Sequence, residues 1–175
     1  IQNPGRRPGV ALVIRGKQCV GKGVFVNEFC RLFGPHAIQV TQSIHLVGNF
    51  NAHLRDKLIV FADEAFWAGD KRAEGALKAL VTEDTMPIEM KGIDVQNATN
   101  FVILIMASNN DWVVPASVDQ RRFVVMEAGN ARMQDSSYFK ALRDQMEQGG
   151  RQALMQFLLD RDLSGVELRR IPRTD

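Results

Sequence analysis

The sequence predicts an α/β fold with a mainly parallel central sheet, a projecting β-hairpin and a helical C-terminal segment. Three observations predict it. Residues 10–14, 57–62 and 101–107 are short apolar runs, the pattern of strands buried on both faces. The first run leads through a glycine-rich loop into a helical periodicity, and residues 86–96 alternate apolar and polar as a half-exposed hairpin does.

Each element has its own signal. The first strand follows the turn-forming pair Pro8-Gly9, and from Lys22 a helix carries Val26, Phe29, Cys30 and Phe33 on one face until Gly34-Pro35 ends it. The second strand ends in Asp63-Glu64. A helix over 72–81 places Ala73, Ala76, Leu77 and Leu80 together, with Asp70 as its cap. In the hairpin Ile88 and Met90 face one way, Glu89 and Lys91 the other, around Gly92. Pro87 suits a sheet edge, so the hairpin should stand out from the core. The third strand ends in Ser108-Asn109-Asn110, a short strand covers 123–126, and helical patterns cover 137–146 and the stretch holding Ala153, Leu154, Phe157 and Leu158. The expected organisation is a linker over 1–9, a core over 10–130 and a helical segment of the same domain over 131–175. A start at Ile1 rather than Met predicts a piece of a longer protein.

Composition narrows the function classes. The 175 residues are 45% hydrophobic and 24% charged, which excludes a disordered or coiled-coil chain. A formal charge of +2 is too balanced to attract polyanions in bulk, so any nucleic-acid contact must be local. Cys19 and Cys30 make no disulfide framework or zinc spacing. The longest apolar run, 101–107, is far below the roughly 20 residues of a membrane helix. The expectation is a protein of a reducing compartment, the cytoplasm, with no membrane partner.

Gly16-Lys17-Gln18-Cys19-Val20-Gly21-Lys22-Gly23 fits the phosphate-loop pattern G-x-x-x-x-G-K at every fixed position but the last, where Gly23 replaces Ser or Thr. Backbone N–H groups and the positive end of the following helix would cradle phosphates, with Lys22 reaching the β and γ oxygens. An ordinary glycine-rich turn is the plainer reading. The setting between a buried strand and an amphipathic helix favours the phosphate loop. The hydroxyl missing at Gly23 normally ligates Mg²⁺, and water can fill such a position.

Asp63 is expected to coordinate or orient the Mg²⁺ shell and Glu64 to polarise the attacking water. Asn109, with Asn110 as the neighbouring choice, would contact the γ-phosphate and the nucleophilic water. Arg121-Arg122 supply an arginine able to act on a neighbouring subunit's nucleotide, which requires an oligomer. Solvated carboxylates, a turn asparagine and a surface arginine pair are the ordinary alternatives. Cys19, His36, His45 and His53 are read as structural, Trp67 and Trp112 as loop anchors, and Arg169, Arg170 and Arg173 as a solvated tail.

Taken in order, the phosphate loop, Asp63-Glu64, the Lys91 hairpin, Asn109 and Arg122-Phe123 resemble the helicase domain of superfamily 3, in its phage and plasmid primase-helicase form. The supporting stretches are Phe50-Asn51 with Leu54, Ala62-Asp63-Glu64-Ala65 with Trp67, Leu77-Lys78 with Thr82, Glu89 with Lys91, Ser108-Asn109 with Pro115, and Asp119 with Arg121-Arg122-Phe123. The likeness spans about residues 10–126. It implies a P-loop NTPase of AAA+-like, three-layer architecture, using ATP and Mg²⁺, assembling as a homo-hexamer and translocating on single-stranded DNA beside a fused or associated primase or polymerase. It also implies that Lys91 touches the DNA backbone in the central pore. Gly23 departs from the commonest family loop. Two other readings remain open: a non-hydrolysing, nucleotide-dependent assembly module and a small-molecule kinase.

Overall fold

The computed structural model describes residues 1–64, 71–109 and 122–167, and for 71–73 the backbone alone. Five parallel strands form the central sheet: β1 (Ala11–Arg15), β2 (Ala37–Val40), β3 (Ile59–Asp63), β6 (Ile103–Ser108) and β7 (Phe123–Glu127). Their spatial order is β2-β3-β6-β1-β7. β4 (Thr85–Met90) and β5 (Ile93–Thr99) pair antiparallel as a separate hairpin. The helices are α1 (Lys22–Arg31), the short α2 (Ile44–Val47), α3 (Lys71–Thr82), α4 (Ser136–Gln145) and α5 (Arg151–Asp160).

Alternation along the strands makes two cores. Ile14, Ile59, Phe61, Ile105 and Ala107 face α1, where Val26 is buried and Phe29 and Phe33 pack beside it. Ala11, Val13, Val60, Ala62, Leu104 and Met106 face the other way, against Leu77, Leu80 and Val81 of α3. Helix, sheet and helix thus form three layers, each fully buried aliphatic or aromatic side chain being worth about 1.5–3 kcal/mol over exposure.

The hairpin departs from the expectation of a freely projecting element. Met86 and Ile88 of β4 are buried in the core shared with α3, whereas Ile93 and Val95 of β5 are exposed. The period-2 pattern lies in β4, and that face has a core to meet. Asn51 clamps this strand: its Nδ2 donates to Pro87 O (2.8 Å) and its Oδ1 accepts from Glu89 N (2.8 Å).

β2 has no apolar run, and the sequence predicts no strand there. It lies at the sheet edge, with only Val40 buried, so its residues carry little of the signal. Residues 1–9, expected to be a linker, are bonded to the body. Gln2 Nε2 donates to Leu158 O and Arg161 O, and the Arg7 guanidinium donates to Val81 O, Glu83 O and Asn100 O. Buried Asn100 also donates to Leu80 O and Glu83 O (both 2.9 Å), so together they satisfy carbonyls that the end of α3 leaves open. Burial lowers the Arg7 guanidinium from its ordinary value, with Asp84 and Glu83 opposing.

Candidate functional site

All five strands of the sheet run parallel, so the C-terminal ends of β1, β3 and β6 lie at one edge. There Gly16–Gly21 carries the chain from β1 into α1. Gly21 is the N-cap of α1 at φ 100°, and a Cβ on it would meet Phe139 Cε1 at 2.4 Å. Glycine is therefore required at position 21 by both conformation and contact. Lys22, the first residue of α1, is 8% exposed. Its Nζ donates to Gly16 O (2.7 Å), Lys17 O (2.9 Å) and Asn109 Oδ1 (2.7 Å). These three acceptors use all three ammonium protons, and they fold the loop around the amine.

From Asn109 the contacts continue to the acidic pair. Asn109 N donates to Glu64 Oε1 (3.0 Å), and Glu64 N donates to Ala107 O (3.0 Å). Glu64 holds φ 54°, a left-handed conformation uncommon outside glycine and concentrated at functional sites. Asp63 Oδ2 accepts from Gln39 Nε2 of β2 at 2.9 Å. Sequence reasoning misses Gln39 together with its strand. Nothing local marks it, because its partner lies 24 residues away.

A cavity of about 520 Å³ is lined by the loop from Gln18 to Gly23, by Asp63, Glu64 and Asn109, and by Ser136, Phe139 and Arg143. Every residue expected around the phosphates except Gly16 and Lys17 lines it, and those two supply carbonyls to Lys22. The sequence does not announce the C-terminal contributors. They arrive because Gln134 N donates to Cys19 O (3.0 Å) and because Glu28, a buried residue of α1, accepts from Arg151 Nε of α5 at 2.8 Å. The exposed Arg143 makes no ion pair among the described residues. Its only sequence signal is a cation in the last turn of an amphipathic helix.

Two expected residues lie elsewhere. Lys91 occupies the exposed two-residue turn between β4 and β5, closed by Gly92 at φ 76°. Arg122 immediately precedes β7, whose register pairs Phe123 with Ala11 and Glu127 with Arg15. It therefore stands at the sheet edge opposite the loop, and its Nη1 is buried without a hydrogen-bond partner among the described residues. Arg121, Asn110, Asp70, Trp67, Trp112, Pro115, Asp119, Arg169, Arg170 and Arg173 lie outside the described residues.

Among the described residues no group of three or more His, Cys, Asp or Glu is placed to hold a metal. Asp63 Oδ1 is without a partner among them. One free carboxylate oxygen at an open cavity suits a hard cation that keeps waters and takes ligand oxygens, as Mg²⁺ does, and does not suit an all-protein cage. No helix of these residues is long and apolar enough to cross a membrane.

Over residues 14–122 the sequence matches the model of a family described as a family of unknown function, DUF5906. The chain belongs to that family. This DUF5906 chain is 32% identical over 134 residues to the DNA primase-polymerase of Nitratiruptor phage NrS-1, a match covering 71% of the chain and 18% of the phage protein. It therefore spans less than a fifth of that relative. Its fold is similar to the apo structure of the NrS-1 C-terminal region, with a TM-score of 0.79 and 25% identity over 95% of this chain and 41% of that one. The A form of the same apo region gives 0.67 and 29% over 81% and 35%.

Proposed function

We propose that this DUF5906 chain is the ATP-hydrolysing domain of a phage or plasmid replication protein, a P-loop NTPase of the superfamily 3 helicase type that moves on single-stranded DNA. One observation carries the reading: the Lys22 amine, held by two loop carbonyls and Asn109, shares a cavity at the C-terminal strand edge with Asp63 and Glu64. Ligands of open parallel sheets bind at that edge. A triphosphate would replace the three acceptors now on Lys22, and Asn109 would be left facing both the terminal phosphate and the water that Glu64 orients.

Mg²⁺, when bound beside Asp63, supplies charge neutralisation for the transferred phosphoryl group. Gln39 keeps one Asp63 oxygen occupied and so fixes the direction of the other. Arg143 adds a second cation from the same chain. Arg122, at the far edge, reaches a nucleotide only on a neighbouring copy, which supports a ring, a homo-hexamer in the family that the sequence resembles. Arg121 is the alternative trans-acting residue. Lys91 at the exposed turn would meet the DNA backbone. The relative's name, DNA primase-polymerase, and the small share of it matched here support a primase or polymerase domain in the same or an associated protein, acting where phage replication occurs, in the host cytoplasm.

The test is ATP hydrolysis measured with and without single-stranded DNA, alongside Lys22→Ala. The expected result is DNA-stimulated phosphate release that falls about 10³-fold in the variant, the scale of removing one charge-stabilising donor. Wild-type turnover in Lys22→Ala would remove the phosphate-loop assignment. Gly23 favours one competing reading, a nucleotide-dependent assembly module, for which nucleotide binds and no phosphate is released.

A further inference from the structure

A second cavity, about 580 Å³, opens beside the first and shares Val20, Gly21 and Phe139 with it. It lies between α1 and the α4–α5 pair. Phe25 and Phe29 line one wall, Leu142, Leu154 and Leu158 the other. Phe25 is 57% exposed, an aromatic ring on a helix with no cover. Phe139 rests on Gly21 and faces both cavities, so anything running from Lys22 into the cleft passes between that ring and the loop.

The charged groups bordering the cleft are already committed. Glu28 accepts from Arg31 Nη1 (2.7 Å) and Arg151 Nε (2.8 Å). Arg132 donates to Asp135 Oδ2 (3.2 Å) and lies over the Tyr138 ring, 4.7 Å from its centroid. What remains toward the interior is apolar surface of a size that suits a small ligand.

We propose that this cleft holds the nucleobase of the triphosphate bound at Lys22, and holds it by burial rather than by reading its edge. The inference rests on the phosphate-loop reading above and goes beyond it by naming the specificity. The chain would accept all four nucleoside triphosphates and favour purines, which bury more ring. A hydrogen-bonding pocket rejects the wrong partner by large factors because its own polar groups are left unpaired. Here no uncommitted charged side chain is available to be left unpaired.

Competition binding with ATP, GTP, CTP, UTP and inorganic tripolyphosphate, all with Mg²⁺, tests this on the protein and on Leu154→Trp, which fills the cleft with apolar volume. ATP and GTP should bind within about tenfold of each other and about tenfold or more above tripolyphosphate, the scale of burying a base against aromatic rings. Leu154→Trp should abolish the nucleotide advantage and leave tripolyphosphate affinity within about twofold, which also reports an intact phosphate site. Equal affinity for ATP and tripolyphosphate in the unsubstituted protein overturns the cleft assignment while the phosphate loop stands. So does a preference for ATP over GTP of about 10² or more, because it requires an edge-reading group. Failure of every ligand, tripolyphosphate included, overturns the phosphate-loop reading and the cleft with it.

Discussion

Two lysines of this chain are presented in opposite ways. Lys22 is buried at a helix start with all three protons placed on named oxygens. Lys91 stands in a two-residue turn, exposed, with no hydrogen bond or ion pair among the described residues. A buried amine needs partners to offset its desolvation, so its position is fixed before any ligand arrives. An exposed amine on a short turn keeps its water and its freedom, as befits contact with a partner that slides past. The first arrangement suits chemistry on one atom, the second contact with a repeating backbone.

Disturbing the fixed side should cost most. Glu64→Gln keeps a side-chain oxygen for the Asn109 N–H and removes the charge that would draw a proton from water. Hydrolysis should fall about 10²–10⁴-fold, the range for removal of a general base, with nucleotide affinity retained in a binding titration. Unchanged turnover would move the base to another residue. Gln39→Ala tests the support behind Asp63. Residues that orient a metal ligand are typically worth about 10–100-fold in metal affinity, so the Mg²⁺ concentration for half-maximal hydrolysis should rise by that factor, with maximal rate recovered at high Mg²⁺.

That second residue also shows where the sequence is opaque. β1, β3 and β6 are legible because each is apolar along its length, and a strand covered on both faces must be. Lys22, Asp63, Glu64 and Asn109 are legible because they sit at the ends of those strands or just beyond them. β2 pairs on one side only, so Ala37–Val40 need not be an apolar run, and Gln39 is hidden with it. Phe139 and Arg143 are illegible for a different reason. Their place in the cavity depends on the buried Glu28–Arg151 contact, 123 residues apart in the chain, and no local pattern encodes that closure.

On the free side the expected effect is smaller and of another kind. Lys91→Ala should leave hydrolysis without DNA unchanged and weaken single-stranded DNA binding by the assembled protein. The slope of log affinity against log salt should become shallower by about 0.7 for each phosphate that the lysine neutralises. A weakened affinity with an unchanged slope would mean that Lys91 positions the hairpin and touches no phosphate.

The smallest change adds a group instead of removing one. Gly23 is the second residue of α1, and a Cβ there would have no heavy atom within 4 Å. Gly23→Ser therefore fits without moving the loop, and replacing glycine within a helix removes a propensity cost of up to about 1 kcal/mol. If the position beside Lys22 faces Mg²⁺ as it does in loops with a hydroxyl, the serine oxygen takes over a ligand site otherwise held by water. Half-saturation should then come at a several-fold lower Mg²⁺ concentration, with little change in maximal rate. A variant that is more heat-stable yet identical in its Mg²⁺ dependence would show that position 23 of this chain does not face the ion, leaving Asp63 and its Gln39 support as the protein's whole contribution to the metal.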